Sequence, residues 1–313
     1  MSPRARLKKL WEEICPDGVK ENEPLKPYTS LRIGGQADWL VEPRNLSAVE
    51  RLLEAAKREK VPCFILGQGS NLLVSDRGIR GLVIRLHSLK SPKVIQRLKG
   101  GQILLEVEAG FPLANLVRFG IRQGLQGLEF LAGIPGSTGG AWAMNAGSYG
   151  REMKDLTVYL NTVSEKGPFR RRGKKELDFG YRSLPLEPGE LILSGGLKLK
   201  AGKGESIREE TRRLWDKRRA IQPLNLPSCG SVFKNPGQDF AGRLIEQAGL
   251  KGRQKGGAQI SERHANFIVN LGQAGSGDVL YLMNLIRDRI KGQFGVLLEP
   301  EVRLWGCTLK KIE

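Results

Sequence analysis

One stretch dense in glycine, Gly127–Gly150, limits what this chain can fold into more than any other part of the sequence. It reads GLEFLAGIPGSTGGAWAMNAGSYG, and Pro135 fixes one φ angle and prevents a regular helix through the middle. Glycine lets backbone N–H groups approach a ligand closely, and successive N–H groups that turn inward form a concave anion site. The stretch therefore predicts a loop that holds a phosphate-bearing cofactor. An ordinary turn-rich connection is the alternative.

Another glycine-rich loop, Gly67–Leu72, follows the short apolar segment Cys63–Leu66, which we expect to be a strand. In chain order, Gly67–Leu72 is the first glycine-rich loop and Gly127–Gly150 contains the second. The loop superficially resembles a dinucleotide-binding fingerprint, but it lacks the third glycine. Leu72–Val74 and a turn at Asp76–Gly78 follow it, where the Rossmann motif needs a helix whose N-terminus points at the pyrophosphate. The sequence therefore argues against a Rossmann fold.

Composition narrows the class of protein further. The chain has 313 residues and a formal net charge of +18, which suits two or three domains and anionic ligands, either nucleotides or nucleic acid. Its four cysteines form no CxxC and match no zinc or disulfide framework, which fits a reducing compartment. Two histidines are too few for a histidine-rich metal site, and no run of about 18 apolar residues is present to span a membrane. We therefore expect a cytoplasmic protein without a metal or a membrane segment.

Periodicity and capping signals predict a mixture of helices and strands. The predicted helices run from Ser47 (with Glu50 in a capping box) to about Lys60, from Pro112 to just before Gly124, from Asp239 to Ala248, and from Asp278 to Lys291. The predicted strands include Ala37–Val41, Leu156–Val163, Leu191–Leu193, Leu197–Leu199, Ala265–Asn270, Val296–Leu298 and Val302–Leu304. These elements do not alternate as regular βαβ units, so the predicted fold class is α+β. A boundary is expected near Ala201–Gly204.

A serine lies in a turn beside an aromatic residue in Gly230–Pro236, which reads GSVFKNP. Ser231 lacks the GxSxG surroundings of a nucleophile elbow and has no histidine placed to activate it, so we consider its hydroxyl as a proton donor. Lys234 and Asn235 are candidates to contact a phosphate or a sugar. A surface turn is the alternative interpretation.

Two charged residues elsewhere are further candidates for the chemistry. Arg182, in FGYRS, carries a planar guanidinium that matches a carboxylate or a phosphate, although a lone arginine is more often a surface residue. Alternation along Leu298–Trp305 puts Glu301, Arg303 and Trp305 on one face of a strand. Glu301 is therefore either an active-site acid or part of an exposed strand face.

These motifs together, in this order, resemble the UDP-N-acetylenolpyruvoylglucosamine reductase family. The resemblance covers Tyr28 to Gly306. Each motif alone is weak, and the ordered combination is specific. The motifs are Thr29–Gly35, Leu66–Leu72, Gly133–Gly140, Asn145–Gly147, Gly180–Arg182, Gly230–Pro236 and Leu298–Arg303.

The resemblance implies a two-lobed FAD-binding domain of the vanillyl-alcohol-oxidase type and a C-terminal α+β substrate-binding domain. The regions would be 1–86 and 87–203 for the two FAD-binding lobes and 204–313 for the substrate domain. It also implies NADPH as co-substrate, a UDP-sugar substrate, and the short form of the family, which lacks an inserted loop with a substrate-binding tyrosine. We separately expect a monomer.

By the same resemblance, both glycine-rich loops would grip the FAD pyrophosphate. The implied cofactor-binding residues are Leu66, Gly67, Gln68, Gly69, Ser70, Asn71, Leu72, Gly133, Ile134, Pro135, Gly136, Ser137, Gly139, Gly140, Asn145, Ala146 and Gly147. Ser231 would be the general acid, and Arg182 and Glu301 would complete the catalytic set. Lys234, Asn235 and His264 are the candidates for substrate contacts.

Two other functions remain open from the sequence. One is another FAD-dependent oxidoreductase on the same scaffold, acting on a different substrate. The other is a nucleic-acid-binding protein, which the net charge suggests. The basic run Arg170–Lys175 gives it little support, because no aromatic platform alternates with the charges, and we expect this run to be a solvated hairpin tip.

Overall fold

A computed structural model describes residues 2–97, 99–164, 167–237 and 239–312, and the chain divides into two compact units. Each unit is assembled from three separate segments. Unit 1 comprises Met1–Glu21, Trp39–Gln68 and Gly81–Lys217, and unit 2 comprises Asn22–Asp38, Gly69–Arg80 and Arg218–Glu313. The predicted division into the regions 1–86, 87–203 and 204–313 stays a prediction.

Helices and strands are mixed along the whole chain, as expected for an α+β fold. The α-helices of the described residues are α1 Pro3–Ile14, α2 Leu46–Arg58, α3 Leu113–Gln123, α4 Thr138–Ala143, α5 Met153–Leu156, α6 Gly204–Ile221, α7 Ala241–Gln247 and α8 Ser276–Phe294. Short 3-10 turns occur at Lys26–Tyr28, Leu86–Ser88, Lys99–Gly101, Glu129–Leu131 and Lys174–Glu176. No helix in the described ranges combines the length and apolar character needed to cross a bilayer.

The strands form several separate sheets. They are β1 Val19–Pro24, β2 Gln36–Val41, β3 Cys63–Leu66, β4 Leu72–Val74, β5 Ile79–Arg85, β6 Pro92–Arg97, β7 Gln102–Glu108, β8 Leu125–Gln126, β9 Gly147–Ser148, β10 Arg151–Glu152, β11 Thr157–Ser164, β12 Gly167–Gly173, β13 Leu191–Ala201, β14 Ser228–Ser231, β15 Gln254–Lys255, β16 Ala258–Ile260, β17 Phe267–Asn270 and β18 Arg303–Trp305. The largest sheet has the order β12-β11-β13-β7-β6, with β8 also paired to β13.

The smaller sheets differ in strand direction. One has the order β1-β2-β5-β3, and in it β3 and β5 run parallel with Cys63 opposite Leu82. In unit 2, an antiparallel sheet has the order β14-β17-β16-β15, and β4 pairs in parallel with β18. The register of this last pair sets Leu72 opposite Arg303, which brings the end of the first glycine-rich loop to the C-terminal segment.

The core of unit 1 fixes the helix that follows the central glycine-rich stretch. Trp142 of α4 is fully buried, and its Nε1 donates to Oγ1 of Thr157 at 3.0 Å. Gly195 of β13 makes room for this indole, because a Cβ at Gly195 would lie 2.8 Å from a ring carbon. The loop before α4 is therefore attached to a rigid scaffold.

The core of unit 2 is built on α8. Its buried residues Val279, Leu282, Met283, Ile286 and Ile290 recur at helical spacing and belong to one cluster with residues of β16 and β17. Burial of each such side chain stabilises the fold by about 1.5–3 kcal/mol. This packing supports the sheet that carries Ser231 at the end of β14.

All four predicted helix starts differ from the structure by a few residues, and three of them are α2, α7 and α8. Helix α2 is capped by Asn45, whose Oδ1 accepts from Ala48 N at 2.9 Å, and not by Ser47. Helix α7 begins after Phe240, not after Asp239. Asp278 is the third residue of α8 and accepts from the N–H of Gly275 at 3.0 Å, so it completes the cap without occupying the cap position.

The end of α3 was predicted correctly and its start was shifted. Pro112 is the residue before the helix, and Gly124 ends it in the left-handed conformation at φ 63°. The two short strands predicted at 191–193 and 197–199 are one strand, β13. No strand occurs at 296–298.

The basic run Arg170–Lys175 lies in β12 and the following turn, so its prediction as a hairpin tip was wrong. Arg170 pairs with Glu176 at 2.7 Å, and Arg172 pairs with the buried Glu190 at 3.0 Å. The guanidinium carbon of Arg171 lies 4.1 Å from the centroid of the Tyr159 ring. These charges are therefore used within unit 1, as ion pairs and a cation–π contact.

Candidate active site

The central glycine-rich stretch presents backbone donors at the start of α4. The N–H of Thr138 donates to Phe111 O at 2.9 Å, and that of Gly139 donates to Ala109 O at 2.8 Å, which fixes the loop against the preceding segment. The N–H groups of Gly136 and Ser137 have no protein acceptor within the described part of the chain. Because backbone donors are normally paired, these two are available to a ligand that carries negative charge.

The two glycine-rich loops meet inside unit 1. A Cβ at Gly67 would lie only 2.4 Å from the Ser137 hydroxyl oxygen, so the first loop passes Ser137 at the closest distance that bare backbone allows. Ser137 is buried, and its Oγ accepts from Gly140 N at 3.3 Å as the cap of α4. Two adjacent loops with accessible backbone N–H groups suit a diphosphate, because its oxygen atoms can accept hydrogen bonds from both loops.

Asn145 joins the second loop to the turn that carries Arg182. Its Nδ2 donates to Gly180 O at 2.9 Å, and Leu184 N donates to Ala143 O at 3.1 Å. Gly180 and Ser183 pair with each other, so Tyr181 and Arg182 form the tip of a two-residue turn. Leu184, two positions after Arg182, is buried.

Arg182 has an unusual backbone conformation, with φ at 53°, which is uncommon for a residue other than glycine. Its guanidinium carbon lies 5.5 Å from the centroid of the exposed Tyr181 ring. Strained non-glycine residues concentrate at functional sites, so this geometry motivates a functional role for Arg182.

In unit 2, the rest of the first glycine-rich loop is bound to the segment of Glu301. Nδ2 of Asn71 donates to Glu301 O at 3.1 Å, and Arg303 N donates to Asn71 O at 3.0 Å. Gly69 has φ at 60°, and a Cβ there would lie 2.1 Å from the carbonyl oxygen of Tyr28. Glycine is therefore required at position 69 for this approach.

Ser231 and Glu301 are brought together in unit 2 through their neighbours. Glu301 N donates to Val232 O at 2.8 Å, and Lys234 N donates to Glu299 O at 2.9 Å, so the two segments run side by side. The hydroxyl of Ser231 has no hydrogen-bond partner among the described residues. A serine oxygen of this kind is available to a substrate.

The predicted common strand face of Glu301, Arg303 and Trp305 was wrong, because β18 covers only Arg303–Trp305 and Glu301 precedes it. Cys229, two residues before Ser231, does not compete as a reactive group. Burial raises the pKa of its thiol to about 12, so the thiol stays protonated near neutral pH.

The predicted substrate-contact residues have partners of their own. Nζ of Lys234 lies 3.2 Å from Oε2 of Glu299, and Oδ1 of Asn235 accepts from Ala241 N at 3.1 Å at the start of α7. Nδ1 of His264 accepts from Asn266 N at 3.3 Å, and burial lowers the pKa of its imidazole. The Asn235 amide nitrogen and the Lys234 ammonium still have donor capacity for a ligand.

Asn266 is a residue of this site that the sequence analysis missed. It is buried, with Oδ1 accepting from Phe233 N at 3.0 Å and Nδ2 donating to Phe233 O at 2.8 Å. Its own carbonyl oxygen accepts from Val232 N at 2.8 Å. A single asparagine in a predicted strand gives little signal, and only its partner 33 positions earlier in the chain reveals the role.

Comparisons with known proteins agree with this arrangement. Residues 222–305 match the family described as the C-terminal domain of UDP-N-acetylenolpyruvoylglucosamine reductase, and residues 37–172 match an FAD binding domain. UDP-N-acetylenolpyruvoylglucosamine reductase 2 of Symbiobacterium thermophilum is 44% identical over 308 residues, which is 98% of each chain. The chain belongs to the UDP-N-acetylenolpyruvoylglucosamine reductase family.

Other relatives agree with this assignment to the reductase family. UDP-N-acetylenolpyruvoylglucosamine reductase 1 of Bacillus cereus is 44% identical over 92% of this chain and 95% of its own. A crystal structure of the reductase from Thermus caldophilus superposes with a TM-score of 0.78 at 38% identity, covering 92% of this chain and 98% of that one.

Family membership confirms an FAD-dependent reductase of peptidoglycan synthesis and the predicted fold class, with an FAD-binding domain of the vanillyl-alcohol-oxidase type and a C-terminal domain. Both glycine-rich loops lie within the span of the FAD binding domain match. The close approach of Gly67 to Ser137 and the unused N–H groups of Gly136 and Ser137 fit the FAD diphosphate. The assignment of individual cofactor, catalytic and substrate residues in this reductase stays a prediction.

Proposed function

We propose that this reductase uses NADPH to reduce the enolpyruvyl group of UDP-N-acetylglucosamine enolpyruvate, forming UDP-N-acetylmuramate. One observation supports the chemistry most directly. The Ser231 hydroxyl has no partner in the described residues, and its segment runs along that of Glu301 through the backbone bond from Glu301 N to Val232 O. A proton donor and a carboxylate are thereby attached to one framework within unit 2.

The residue types match the charge changes of such a reduction. Bound FAD, reduced by NADPH, supplies the hydride for the terminal carbon of the enolpyruvyl group. Negative charge then develops on the neighbouring carbon and spreads into the substrate carboxylate. Arg182 is proposed to hold that carboxylate, because a guanidinium already in place stabilises developing charge without reorganisation.

Ser231 is proposed to deliver the proton to the carbanionic carbon. A weak acid is sufficient for this step, since the enolate is strongly basic. Glu301 completes the catalytic set, where its carboxylate either orients the substrate or takes part in proton movement. Lys234, Asn235 and His264 are proposed to contact the UDP-sugar.

The test separates the two half-reactions by stopped-flow spectroscopy. In Ser231→Ala, flavin reduction by NADPH should stay near the wild-type rate, while reoxidation by the enolpyruvyl sugar nucleotide should fall about 100- to 10,000-fold. Ser231→Cys keeps a proton donor and should retain part of the second rate. Ser228→Ala, in the same strand, is the matched control and should leave both rates unchanged.

Two outcomes would count against the proposal. Equal loss of both half-reactions in Ser231→Ala would remove Ser231 from the acid role. In the second outcome, NADPH reduces the flavin of the wild-type enzyme but the enolpyruvyl sugar nucleotide does not reoxidise it. This result would favour another substrate on the same FAD-binding scaffold.

The setting of the enzyme is part of the same proposal. We infer a cytoplasmic monomer that binds neither nucleic acid nor membranes, with FAD-binding lobes at 1–86 and 87–203 and a substrate domain at 204–313. Size-exclusion chromatography with light scattering tests the monomer, and limited proteolysis near residue 203 tests the last boundary.

A further inference from the structure

Three arginines surround a cavity in unit 1 that the proposed reaction does not use. The cavity has a volume of about 580 Å³ and lies beside α3 and α6. Its lining residues are Phe111, Asn115, Arg118, Ile121, Arg122 and Arg208. This volume falls within the range of about 300–1,000 Å³ that is usual for small-molecule sites.

The charge of this cavity is uncompensated. None of its lining residues is acidic, and in the ranges that the structure describes Arg118, Arg122 and Arg208 form no ion pair. Only Arg118 has a side-chain partner there, the neutral Oδ1 of Asn115. By contrast, the three arginines of β12, in the same unit, have acidic partners or an aromatic ring.

The spacing of the arginines makes the arrangement unfavourable for the protein alone. Arg118 and Arg122 are separated by four positions on α3, where like charges face each other and destabilise a helix. Arg208 adds a third positive charge from α6. The C-terminal end of the α3 dipole favours Arg122, which lies in the last turn, and gives no such support to the exposed Arg118 and Arg208.

The floor of the cavity is apolar. Phe111 is 9% exposed and Ile121 is half-buried, and both pack on the core of unit 1. The backbone of Phe111 also accepts the hydrogen bond from Thr138 N, so this wall is held in place by the second glycine-rich loop. An apolar floor with a cationic rim suits a ligand that has a planar or aliphatic body and one anionic group.

We propose that this cavity is a binding site for a small organic anion, with its phosphate, sulfate or carboxylate held by Arg118, Arg122 and Arg208 and its apolar body on Phe111 and Ile121. The site is separate from the residues proposed for FAD, for catalysis and for the UDP-sugar. It does not depend on the proposed reaction.

The experiment is a calorimetric titration of the full-length FAD-loaded protein with 8-anilinonaphthalene-1-sulfonate, an anionic aromatic probe. We expect one site, with affinity that falls as salt rises. Arg122→Ala and Arg208→Ala should each weaken binding about 3- to 10-fold, and the double variant more. Arg212→Ala is the matched control, because Arg212 is an exposed arginine on the same helix that pairs with Asp216 outside the cavity.

Two comparisons decide the result. N-phenyl-1-naphthylamine has the same aromatic body without the sulfonate, and it should bind more weakly and respond equally to all three arginine variants. Inorganic pyrophosphate should bind weakly, because it lacks an apolar part. If Arg122→Ala and Arg208→Ala bind the sulfonate as Arg212→Ala does, or if the neutral analogue binds as tightly as the sulfonate, the proposal is wrong and the probe reports apolar surface alone.

Discussion

Asn266 binds the backbone of Phe233 at both polar atoms, with Phe233 N donating to Oδ1 at 3.0 Å and Nδ2 donating to Phe233 O at 2.8 Å. Phe233 is fully buried and Asn266 is 3% exposed, so water does not replace either bond. Asn266 O also accepts from Val232 N at 2.8 Å. The segment next to Ser231 is therefore held by one buried asparagine.

Replacement of this asparagine should destabilise the protein and disturb Ser231. In Asn266→Ala the buried N–H and C=O of Phe233 lose their partners, and each such loss costs about 1–3 kcal/mol. Denaturant unfolding should therefore show a decrease of about 2–4 kcal/mol. The substrate half-reaction should slow more than flavin reduction.

Asn284→Ala is the control for this measurement, because Oδ1 of Asn284 accepts from Lys310 N at an exposed position. It should change the unfolding free energy by less than about 0.5 kcal/mol. A decrease in Asn266→Ala as small as that of the control would mean that the Phe233 backbone finds other partners.

The close approach of the two glycine-rich loops predicts a steric effect on flavin content. In Gly67→Ala, the new Cβ would lie 2.4 Å from Oγ of Ser137, so either this oxygen must rotate out of its cap position or the loops must separate, and the flavin content after purification should fall. Removing that oxygen leaves Cβ of Ser137 as the nearest atom, at the ordinary contact distance of 3.4 Å. Gly67→Ala combined with Ser137→Ala should therefore recover part of the flavin.

The absorbance ratio of flavin to protein measures this recovery. Ser137→Ala alone serves as a control, and the loss of the α4 cap should cost about 1 kcal/mol of stability without abolishing FAD binding. Gly277→Ala, in α8 with open space around the new Cβ, should keep full flavin content. If the double variant contains as little flavin as Gly67→Ala, the contact with Ser137 is not the cause of the flavin loss.

Because the backbone of Arg182 is strained, substitutions at this position should affect stability and activity differently. At φ 53° glycine is favoured over alanine, so Arg182→Gly should be more stable than Arg182→Ala by about 1 kcal/mol. Both variants lose the guanidinium, and both should slow the substrate half-reaction about 100- to 1,000-fold. Arg182→Lys keeps a charge without the planar fork and should recover only part of that rate.

Thermal unfolding and stopped-flow kinetics give the two readouts for position 182. If the glycine and alanine variants differ in the rate of the substrate half-reaction, the loss of rate depends on loop geometry and not on the lost guanidinium. Equal stability of the two would show that the turn relaxes when the side chain is removed.

Sequence patterns correctly predicted the elements that depend on interactions between residues close together in the chain. The left-handed Gly124 at the end of α3 and the strand Cys63–Leu66 follow from conformational preference and apolar runs. The caps of α2 and α7 were wrong because several polar residues compete at each helix start. In α7 the first free N–H, that of Ala241, donates to the side chain of Asn235, six positions earlier in the chain. The sequence analysis had predicted a substrate contact for Asn235.

The residues of the candidate site could be predicted only where they lie in a recognisable sequence motif. Ser231 and Glu301 were chosen as candidates from their sequence motifs, and the resemblance supplied their predicted roles. The backbone bond that links their segments joins residues 69 positions apart in the chain, Val232 and Glu301. The role of Asn266 depends on Phe233, which lies 33 positions earlier in the chain, and no local spacing encodes it. The alternation expected at Glu301 failed because the final strand begins two residues later, at Arg303.

His264 predicts a pH dependence of stability. Burial lowers the pKa of its imidazole in the folded protein, and Lys251 adds to the effect while Glu246 opposes it. Above the ordinary value of 6.5 the ring is neutral in both states and the stability is fully present. As the pH falls below about 6.5, the unfolded chain takes up the proton first, so the free energy of unfolding decreases until the folded ring is also protonated.

The variant His264→Asn should remove this decrease, because its side-chain oxygen can still accept from Asn266 N and does not titrate in this range. His87 is the only other histidine in the sequence, and partial burial together with Arg85 and Lys90 also lowers its pKa, so His87→Asn is measured in parallel to separate its contribution from that of His264. The measurement is denaturant unfolding from pH 7.5 to about 5 for all three proteins. Parallel curves for the wild type and His264→Asn would show that the acid lability comes from other groups and not from the partly buried ring of His264.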